Sequence, residues 1–319
     1  MNQPAVTWVV GAGGLLGRHV AGRLADNGHE LITQRIPWSD PEAARAALQH
    51  GFTELLTRAG DGQWNLAWCA GAGVVSTSAE SLQQDAELFG DFVRHIGRHP
   101  VVCSRGAFFL ASSAGGVYAG SPDTPPFTED TEPRPLAPYG RMKLAKEREL
   151  TAVAEATGMP AFIGRIANLY GPGQNIDKPQ GLVSHLCRAH FTGQPLSIYV
   201  PLDTLRDYIL VSDCAAMVAA GLADLRRVVT PEQPVATKIL ASGRGTSIGA
   251  LIAESTRIFR RRPRIMLVSS PAAAGQVRDL RLRSVRWPEL DRFSRSTLPA
   301  GIARTADDIE LRLRLARHD

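Results

Sequence analysis

The sequence predicts an α/β protein with a doubly wound parallel sheet and a smaller C-terminal domain. One observation is that short apolar runs alternate with longer helical stretches through the first half of the chain. This is the pattern of parallel strands joined by right-handed crossovers. A second observation is that glycine- or serine-bearing segments follow the apolar runs directly. Because parallel strands end at one edge of their sheet, we expect these segments to lie together at that edge.

The individual elements are predicted from apolar periodicity. The strands are Val6–Val10, Glu30–Arg35, Trp64–Cys69, Ala107–Ser112 and Phe162–Ile166. The helices are Arg18–Asn27, Pro41–Leu56, Ser81–Ile96 and Tyr139–Ala156. Asp40 is expected to be the N-cap of the second helix, with Pro41 in its first turn. The alternation breaks after residue 170, so the predicted domains are 1–170 and 171–319.

A glycine-rich turn joins the first strand to the first helix. Its spacing is G-x-x-G-x-x-G, because Leu16 occupies the third glycine position of the stricter G-x-G-x-x-G. Such glycines permit a tight turn, close approach of a pyrophosphate, and close packing of helix on strand. The helix N-terminus favours the diphosphate. The turn is therefore expected to bind a dinucleotide in a Rossmann-type fold, through Gly11, Gly13, Gly14, Leu15, Leu16 and Gly17.

Tyr139 and Lys143 are the second chemical signal. Four residues apart on a helix, they project from one face. A tyrosine with a pKa near ~10 is a poor base, and a neighbouring cation favours the phenolate. Lowering the pKa by about three units takes about 4 kcal/mol, which Lys143 and an oxidised nicotinamide are expected to supply. By itself the pair is weak evidence and more often marks an ordinary surface contact; the preceding glycine turn favours the catalytic interpretation.

Five segments in register resemble the extended short-chain dehydrogenase/reductase family, also called the NAD-dependent epimerase/dehydratase family. Besides the glycine turn they are residues 111–118, 138–143, 165–174 and 205–213. These read Ala-Ser-Ser-Ala-Gly-Gly-Val-Tyr, Pro-Tyr-Gly-Arg-Met-Lys, Arg-Ile-Ala-Asn-Leu-Tyr-Gly-Pro-Gly-Gln and Leu-Arg-Asp-Tyr-Ile-Leu-Val-Ser-Asp. The resemblance covers almost the whole chain and implies a substrate-binding C-terminal domain that is partly interleaved with the first.

The resemblance also implies roles for individual residues. Tyr139 is the expected acid/base, and Lys143 is expected to hold the nicotinamide ribose. The family commonly has Ser or Thr four residues before the tyrosine that matches Tyr118, where this chain has Ala114. Ser113, and next Ser112, are therefore the candidates for the hydroxyl that meets the substrate oxygen, with backbone capping as the alternative for both.

Further residues are assigned by their match to family positions. The expected cofactor contacts are Ala70, Gly71 and Ile166. The expected contacts to a nucleotide diphosphate of the substrate are Asn168, Arg206 and Arg278. Asp207 and Asp213 are expected to be structural, with Asp213 as a helix N-cap.

The cofactor is expected to be NADP or NAD, with NADP favoured. NAD-using members of the family end their second strand with an acidic residue that binds the adenine ribose. Here Arg35 stands in that region and no acid occurs before Asp40. Arg35 is expected to meet a 2′-phosphate; the alternative is a strand end in solvent. The short linker that follows indicates that a usual helix and third strand are compressed.

The expected substrate is a nucleotide-diphosphate sugar, and the expected reaction is a 4-epimerisation by hydride transfer. An NADPH-dependent 4-ketoreductase is the alternative, and a non-catalytic dinucleotide-sensing regulator is a third interpretation. Dehydration is disfavoured, because the segment Ala114–Gly116 lacks the acid pair that protonates a departing hydroxyl. These readings share one fold, which does not separate them.

Composition bounds the remaining expectations. A net charge of +5 suits an anionic ligand. The cysteines form no C-x-x-C pattern, and no apolar run reaches the roughly 18 residues of a membrane span. The first strand starts too early for a signal peptide. We therefore expect a cytoplasmic protein with no metal, membrane or nucleic-acid partner. The family resemblance implies a homodimer that pairs through helices such as Ser81–Ile96 and Tyr139–Ala156.

Overall fold

The structure, a computed structural model, describes residues 5–71, 77–178, 180–268 and 277–316. The chain forms two compact units, each assembled from three segments. The first unit comprises Met1–Val117, Pro135–Arg165 and Ala215–Lys238, and the second comprises Tyr118–Arg134, Ile166–Cys214 and Ile239–Asp319. A single division after residue 170 does not describe these units, because the segment 215–238 ends in a strand of the first unit's sheet.

The elements follow one another in the order that the alternation predicts. The strands are β1 (Val6–Val10), β2 (Glu30–Ile32), β3 (Trp64–Trp68), β4 (Gly106–Ser113), β5 (Ala161–Ile166), β6 (Asn168–Tyr170), β7 (Leu196–Ile198), β8 (Leu205–Leu210), β9 (Val235–Leu240), β10 (Gly245–Ser247), β11 (Ile265–Leu267) and β12 (Asp279–Leu280). The helices are α1 (Leu15–Asp26), α2 (Pro41–Ala59), α3 (Ala79–Gly97), α4 (Pro100–Cys103), α5 (Ala114–Tyr118), α6 (Pro138–Thr157), α7 (Leu182–Thr192), α8 (Val211–Val228), α9 (Ile248–Phe259) and α10 (Leu298–Leu315).

The sheet of the first unit has, among the described residues, six parallel strands in the order β2-β1-β3-β4-β5-β9. β1 lies between β2 and β3, with Val6 opposite both Glu30 and Trp64. All five residues of β1 are wholly or almost wholly buried, as are those of β3. This confirms the predicted doubly wound parallel sheet.

The predicted second strand is too long. β2 ends at Ile32, so Thr33 to Arg35 lie beyond it. β2 is the edge strand of the described sheet. It forms backbone hydrogen bonds with β1 alone, so fewer contacts hold its end in the sheet. The chain then enters α2 and returns as β3 on the other side of β1, which confirms the compressed linker that the sequence indicated.

An aromatic core fixes α2 and α3 against this sheet. Trp68 and Phe89 meet edge-to-face with ring centroids 4.9 Å apart, and Phe52 and Trp64 do so at 5.6 Å. Asp40 caps α2 as predicted, since its Oδ1 accepts hydrogen bonds from the N–H groups of the next two non-proline residues, both at 3.1 Å. These contacts position the strand ends from which the site is built.

The second unit contains a smaller mixed sheet. β8 pairs antiparallel with β10 and parallel with both β12 and β6, and a separate pair joins β7 to β11. Its core includes side chains from β6, β8, α7, α9 and α10, among them Tyr170, Leu186, Leu210, Leu251 and Ile302. A smaller C-terminal unit with its own sheet is therefore present, as expected.

The remaining expectations concern membranes, metals and cysteines. No helix among them combines the length and the hydropathy needed to cross a bilayer. No group of histidine, cysteine and carboxylate side chains in that part of the chain is arranged to hold a metal ion. The cysteines are present as free thiols, at Cys69, Cys103, Cys187 and Cys214.

Candidate active site

The glycine turn between β1 and α1 is shaped by close backbone contacts. Gly11 has a φ of +86°, and a Cβ there would stand 2.7 Å from the backbone of Ala70. A Cβ at Gly17 would stand 2.1 Å from the Gly11 carbonyl oxygen. Neither position accepts a side chain without movement. The turn therefore presses against Ala70, one of the residues assigned to the cofactor from the sequence.

The outer side of the same turn is open. Among the described residues, apart from the neighbours of Gly13 in the chain, no atom lies within 4 Å of where its Cβ would stand. Gly14 is the N-cap of α1 and supplies no side-chain cap, and the first turn of the helix carries no acid. The N–H groups of a first helical turn have no intrahelical acceptors, here those of Leu15 and Leu16. Room, unpaired donors and a positive helix end together fit the diphosphate of a dinucleotide.

The start of α6 brings Tyr139 onto the segment that follows β4. A Cβ at Gly140 would stand 2.0 Å from the Gly116 carbonyl oxygen, so this close approach requires glycine. A Cβ at Gly116 would in turn stand 3.2 Å from Cε1 of Tyr139. The two glycines thus remove the bulk that would separate Tyr139 from the end of β4.

Ser113, the last residue of β4, meets the phenol of Tyr139. Its hydroxyl lowers the pKa of that phenol, as a hydrogen-bond donor does, and both side chains lie beside Gly116, where a Cβ would stand 3.3 Å from the Ser113 Oγ. The Ser113 Oγ also accepts a hydrogen bond from the N–H of Gly116 at 3.1 Å, which leaves its own O–H to donate to Tyr139. Of the two candidate serines, Ser113 is the one that the structure brings to Tyr139.

Burial controls the ionisation of Tyr139. It raises the pKa of the phenol above its ordinary value, and the hydrogen bond from Ser113 opposes that shift. The charge of Asp85 raises the pKa of Tyr139 further. Lys143 was expected to lower this pKa together with an oxidised nicotinamide; its ammonium lies 5.7 Å from the centroid of the Tyr139 ring and donates to the Ala111 carbonyl oxygen.

Lys143 is buried and tied to the main chain of β4. Its Nζ donates a hydrogen bond to the carbonyl oxygen of Ala111 at 2.9 Å. Burial lowers the pKa of Lys143, while the charges of Asp85 and Glu147 raise it. A Cβ at Gly71, the residue after Ala70, would stand 3.5 Å from this Nζ. The ends of β3 and β4 and the first turns of α6 therefore meet at the lysine.

Ser112 has a different role from the one the sequence allowed. It is buried, and its hydroxyl donates a short hydrogen bond to the carboxylate of Glu147. Arg165 also binds Glu147, with Nη2 2.7 Å from Oε2. Ser112 therefore belongs to a buried ion pair that holds α6 on β4 and β5, and it is removed as a catalytic candidate.

Three charged side chains near the site were missed by sequence reasoning. Lys146 is 1% exposed, and its Nζ lies 2.8 Å from a carboxylate oxygen of Asp85 on α3. Lys146 and Glu147 follow Lys143 by three and four residues, the spacing that keeps helical side chains on one face. This spacing is the sequence signal that could have identified Lys146 and Glu147. No sequence signal identifies Asp85, because only the packing of α3 on α6 brings it to Lys146.

Arg35 lies in the segment beyond β2 and is exposed. Because β1 and β2 are parallel neighbours with Trp8 opposite Ile32, this segment leaves the sheet at the same edge as the glycine turn. No carboxylate precedes Asp40 in the segment, and that carboxylate is used to cap α2. The segment after β2 therefore presents no free carboxylate that would repel an anion.

The residues assigned to the substrate belong to the second unit. Asn168 on β6 donates from Nδ2 to the Asp207 carbonyl oxygen at 2.9 Å, across the β6–β8 pair. Arg206 on β8 donates to the Leu205 carbonyl oxygen, and burial lowers the pKa of its guanidinium. Asn168 and Arg206 thus come from adjacent strands. Ile166 is buried at the end of β5 and also falls in this unit.

Arg278, the further contact inferred for the substrate, is engaged on the surface of the second unit. Its Nη2 forms a short ion pair with the carboxylate of Asp203, and both side chains are largely exposed. An exposed pair of this kind contributes little to stability. Arg278 therefore has a local partner whose carboxylate competes with any phosphate for the guanidinium.

Asp207 and Asp213 are structural, as expected, but Asp213 is not an N-cap. α8 begins at Val211, which places Asp213 inside its first turn, where it accepts hydrogen bonds from the N–H and hydroxyl of Ser296. The Asp207 carboxylate accepts hydrogen bonds from the N–H groups of Ser242 and Arg244. Burial raises the pKa of Asp207 to about 6.

Comparison with known proteins gives the chain a family. The family model described as "NAD dependent epimerase/dehydratase family" matches residues 7–235. Over 134 residues the chain is 33% identical to a dTDP-L-rhamnose 4-epimerase of Burkholderia thailandensis, covering 41% of this chain and 35% of that protein. Over 104 residues it is 38% identical to a dTDP-4-dehydro-6-deoxyglucose reductase of Escherichia coli, covering 33% of this chain and 32% of that protein.

A dTDP-glucose 4,6-dehydratase of Xanthomonas campestris is 33% identical over 115 residues, covering 35% of this chain and 32% of that protein. The matched segments thus span about a third of each of these curated relatives. Among solved structures, MoeE5 in complex with UDP-glucose and NAD superposes with a TM-score of 0.79 at 23% identity, covering 97% of this chain and 100% of that one. RMD from Pseudomonas aeruginosa, complexed with NADPH, gives 0.75 at 19% identity, covering 97% and 99%. These likenesses show the same fold.

Proposed function

Because this chain belongs to the NAD dependent epimerase/dehydratase family, we propose that it is a 4-epimerase of a nucleotide-diphosphate sugar. The observation that carries the proposal is the contact of Tyr139 with Ser113, one helical turn from the buried Lys143. The glycine turn of the same unit supplies an open, acid-free helix end for the cofactor. Acid/base chemistry at a sugar hydroxyl requires a proton acceptor and a group that orients the oxygen, and these residues supply both.

Each side chain has a defined task in this proposal. A bound nicotinamide supplies hydride acceptance and donation at the sugar carbon. Tyr139 takes the proton from the substrate hydroxyl and returns it when the carbonyl is reduced. Ser113 donates a hydrogen bond that favours the phenolate. Lys143 binds the cofactor ribose, and its Nζ is held at the end of β4 by the Ala111 carbonyl.

The second unit is proposed to bind the nucleotide diphosphate. Asn168 and Arg206 occupy adjacent strands, and the guanidinium of Arg206 retains hydrogen-bond donors beyond the one used on Leu205. Arginine pairs well with phosphate oxygens because its donors form a planar fork. In this proposal Arg278 exchanges its exposed pairing with Asp203 for the substrate.

A 4-ketoreductase that uses NADPH is the second candidate. Arg35 favours it, because an arginine beyond β2 suits a 2′-phosphate and a reductase releases its cofactor after one turnover. An elimination reaction is disfavoured on chemical grounds, since the segment from Ala114 to Gly116 carries no acid to protonate a leaving hydroxyl. The curated relatives include dehydratases, so similarity does not decide among these reactions.

The decisive experiment identifies the dinucleotide and the product. Purified protein is denatured, the released cofactor is identified by mass spectrometry, and UDP- and dTDP-hexoses are assayed for configuration at the sugar carbon. Retained NAD with interconversion of the two 4-epimers supports the epimerase. NADPH uptake and net consumption of a 4-keto sugar support the reductase and overturn the epimerase.

Tyr139→Phe tests the proposed acid/base directly. Removing the phenol oxygen is expected to lower turnover by about 10²- to 10⁴-fold, while dinucleotide binding stays nearly unchanged. Tyr170→Phe is the matched control, because Tyr170 lies in the core of the second unit. Wild-type turnover in Tyr139→Phe would remove the base from this proposal.

A further inference from the structure

Two strands of the second unit, β7 and β11, carry a ridge of exposed apolar side chains. Met266 and Leu267 of β11, and Val268 and Tyr199 just after the two strands, are between 39% and 64% exposed. The strands pair in parallel, and the Val268 N–H donates to the Ile198 carbonyl oxygen at 3.0 Å. Successive residues of a strand point to opposite faces, so both faces of β11 are open at Met266 and Leu267. We call these four side chains the apolar ridge; grouped exposure of this kind marks an interaction surface.

A cluster of exposed arginines directly precedes the ridge in the chain. It lies between the end of α9 and the start of β11, and we call it the basic run: Arg260, Arg261, Arg262 and Arg264. In the described part of the chain, none of these arginines has a carboxylate partner. Glu254 of α9 is paired with Arg257 at 2.9 Å, and Glu310 of α10 with Arg314 at 2.6 Å. The positive charge of the basic run is therefore not neutralised by these neighbouring helices.

The apolar ridge and the basic run belong to one surface that contains no acid. The two segments that form it, residues 190–202 and 255–268, include no aspartate or glutamate. The Leu196 N–H donates to the Arg264 carbonyl oxygen at 2.8 Å, which joins the segments at the start of β7. At about 3.3 Å per residue, Val268 lies about 13 Å along the strand from Arg264. Positive charge and exposed apolar surface therefore lie side by side.

Local structure accounts for only part of this arrangement. A helix dipole stabilises cations near the helix C-terminus, but the effect falls off within the last turn, so it does not extend to Arg262 and Arg264. Arg260, the C-cap of α9, has a φ of +50°, a conformation that glycine adopts at lower cost. The helix end also gives no reason for the exposed side chains of β11. A partner that is both anionic and apolar accounts for the whole surface.

We propose that the basic run and the apolar ridge together dock on an anionic lipid bilayer. Such a bilayer presents phosphate oxygens above hydrocarbon. The guanidinium groups pair with the phosphates, while Met266, Leu267 and Val268 enter the acyl boundary and Tyr199 stays at the interface. A nucleic acid would pair with the arginines but would give the aliphatic side chains no apolar partner. Peripheral contact requires no long apolar run, so this surface replaces the expectation of no membrane partner and adds a location to the proposed function.

Co-sedimentation with lipid vesicles tests the docking surface without any assay of turnover. The full chain is mixed, at low and at high salt, with vesicles of phosphatidylcholine alone or of phosphatidylcholine and phosphatidylglycerol in equal amounts. Arg262→Ala shortens the basic run, and Arg227→Ala, at an exposed position of α8, is its matched control. Leu267→Ser removes part of the apolar ridge, and Leu311→Ser, at an exposed position of α10, is its matched control. Circular dichroism establishes that each variant is folded.

The expected result is selective binding to the anionic vesicles. Wild type partitions onto them, the partition coefficient falls with added salt, and vesicles of phosphatidylcholine alone retain little protein. Arg262→Ala lowers the partition coefficient about fivefold, the contribution of one arginine near an anionic surface. Leu267→Ser lowers it about tenfold, because a leucine side chain no longer enters hydrocarbon. Both controls stay within about twofold of wild type.

Other outcomes would overturn the docking surface. No sedimentation with either kind of vesicle, or equal sedimentation with both, would exclude an anionic bilayer as the partner. Wild-type partitioning of Leu267→Ser would show that the apolar ridge stays out of the bilayer. Tighter binding of wild type to a DNA duplex than to the anionic vesicles, at the same salt concentration, would assign the basic run to a nucleic acid instead. None of these results depends on dinucleotide binding or turnover, so the proposed function is tested separately.

Discussion

Ser112 and Ser113 show how one position along a strand changes the chemistry available to a side chain. Ser112 is buried against Glu147, whereas Ser113 meets the phenol of Tyr139. The resemblance alone left the choice open, because the family's usual Ser or Thr position holds Ala114. Their contacts decide it, because Ser112 is engaged by Glu147 farther along α6, whereas Ser113 lies beside Gly116 and Tyr139 at the start of that helix.

Alanine substitutions of the two serines are therefore expected to have different effects. Ser113→Ala removes the interaction that opposes the raised pKa of Tyr139. The pH at which kcat/KM rises should therefore increase, and the maximal rate should fall. Ser112→Ala deletes a buried partner of Glu147 and should lower stability by about 1–3 kcal/mol without moving that pH profile. Measuring both variants by pH-dependent kinetics and urea unfolding checks the assignment; a shifted profile in Ser112→Ala would reverse it.

The raised pKa of Asp207 leads to a prediction of how stability changes with pH. Burial raises its pKa to about 6 in the folded protein, above the value of about 4 in an unfolded chain. The folded state therefore holds the proton more tightly, and the contribution of Asp207 to stability falls as pH rises from 4 to 6. Its pKa shift of about two units corresponds to a change of about 3 kcal/mol across that window.

Asp207→Asn removes this titration. We expect the variant to be more destabilised relative to wild type at pH 4.5 than at pH 7.5, as measured by the free energy of unfolding in urea. Every other titrating group is common to the two proteins and cancels in the difference. The same difference at both pH values would show that Asp207 has an ordinary pKa in the fold.

At the scale of elements, α1 is joined to its strand by contact rather than by a side-chain cap. Gly17 touches the Gly11 carbonyl, and Gly14 supplies no side chain to the N-terminal N–H groups. This arrangement leaves the helix end open toward the proposed cofactor. It also makes the packing of α1 depend on the absence of a single methyl group.

Two glycines of the same helix provide a direct comparison. Gly17→Ala places a Cβ 2.1 Å from a carbonyl oxygen, so it should displace α1, lower the melting temperature and weaken dinucleotide binding. Gly22→Ala meets nothing within 4 Å and should stabilise the helix by about 0.5–1 kcal/mol. Calorimetric melting and cofactor titration measure both. Equal melting temperatures for the two variants would contradict the close packing described for Gly17.

α6 illustrates how one element concentrates several functions. Tyr139, Lys143, Lys146 and Glu147 share its inner side, and each has a partner on β4, β5 or α3. Lys146 lies 5.3 Å from the ring centroid of Phe89, so aromatic faces also contact its charge. Breaking a buried ion pair by removing one member typically costs about 3–5 kcal/mol. The Glu147–Arg165 ion pair therefore holds α6 on the sheet, and so keeps Tyr139 and Lys143 in position beside β4.

At the scale of the whole molecule, we expect two chains to pair through α3 and α6. The outward side of α6 carries an exposed stripe at Arg148, Ala152 and Glu155, spaced by four and three residues. Such a stripe on neighbouring helices suits an isologous interface with a second copy. The expectation follows from the resemblance, because related enzymes commonly pair through the corresponding helices.

An arginine in the middle of this stripe tests the dimer. Sedimentation velocity should give a dimer for wild type and a shift toward monomer for Ala152→Arg, because a buried, unpaired charge opposes association. Ala253→Arg, at an exposed position of α9 in the second unit, is the matched control and should remain dimeric. A monomeric wild type would end this prediction without affecting the proposed chemistry.

The fold and the order of its motifs were available from the sequence by itself. Strand hydrophobicity, the glycine turn and the Tyr139–Lys143 spacing are local signals, since each is set by residues close together in the chain. Element bounds were correct to within a few residues where a strand is buried on both sides, as in β1. The prediction failed at β2, where an edge strand has only one neighbour and ends at Ile32.

What only the tertiary structure decided was which side chains share an environment. The buried ion pairs join Asp85 of α3 to α6, and Glu147 of α6 to Arg165 of β5. No spacing along the chain indicates these contacts. Burial by surrounding elements raises the pKa of Tyr139, and no local spacing indicates that burial. Desolvation and long-range contact are properties of packed elements, so a sequence that fixes local periodicity does not reveal them.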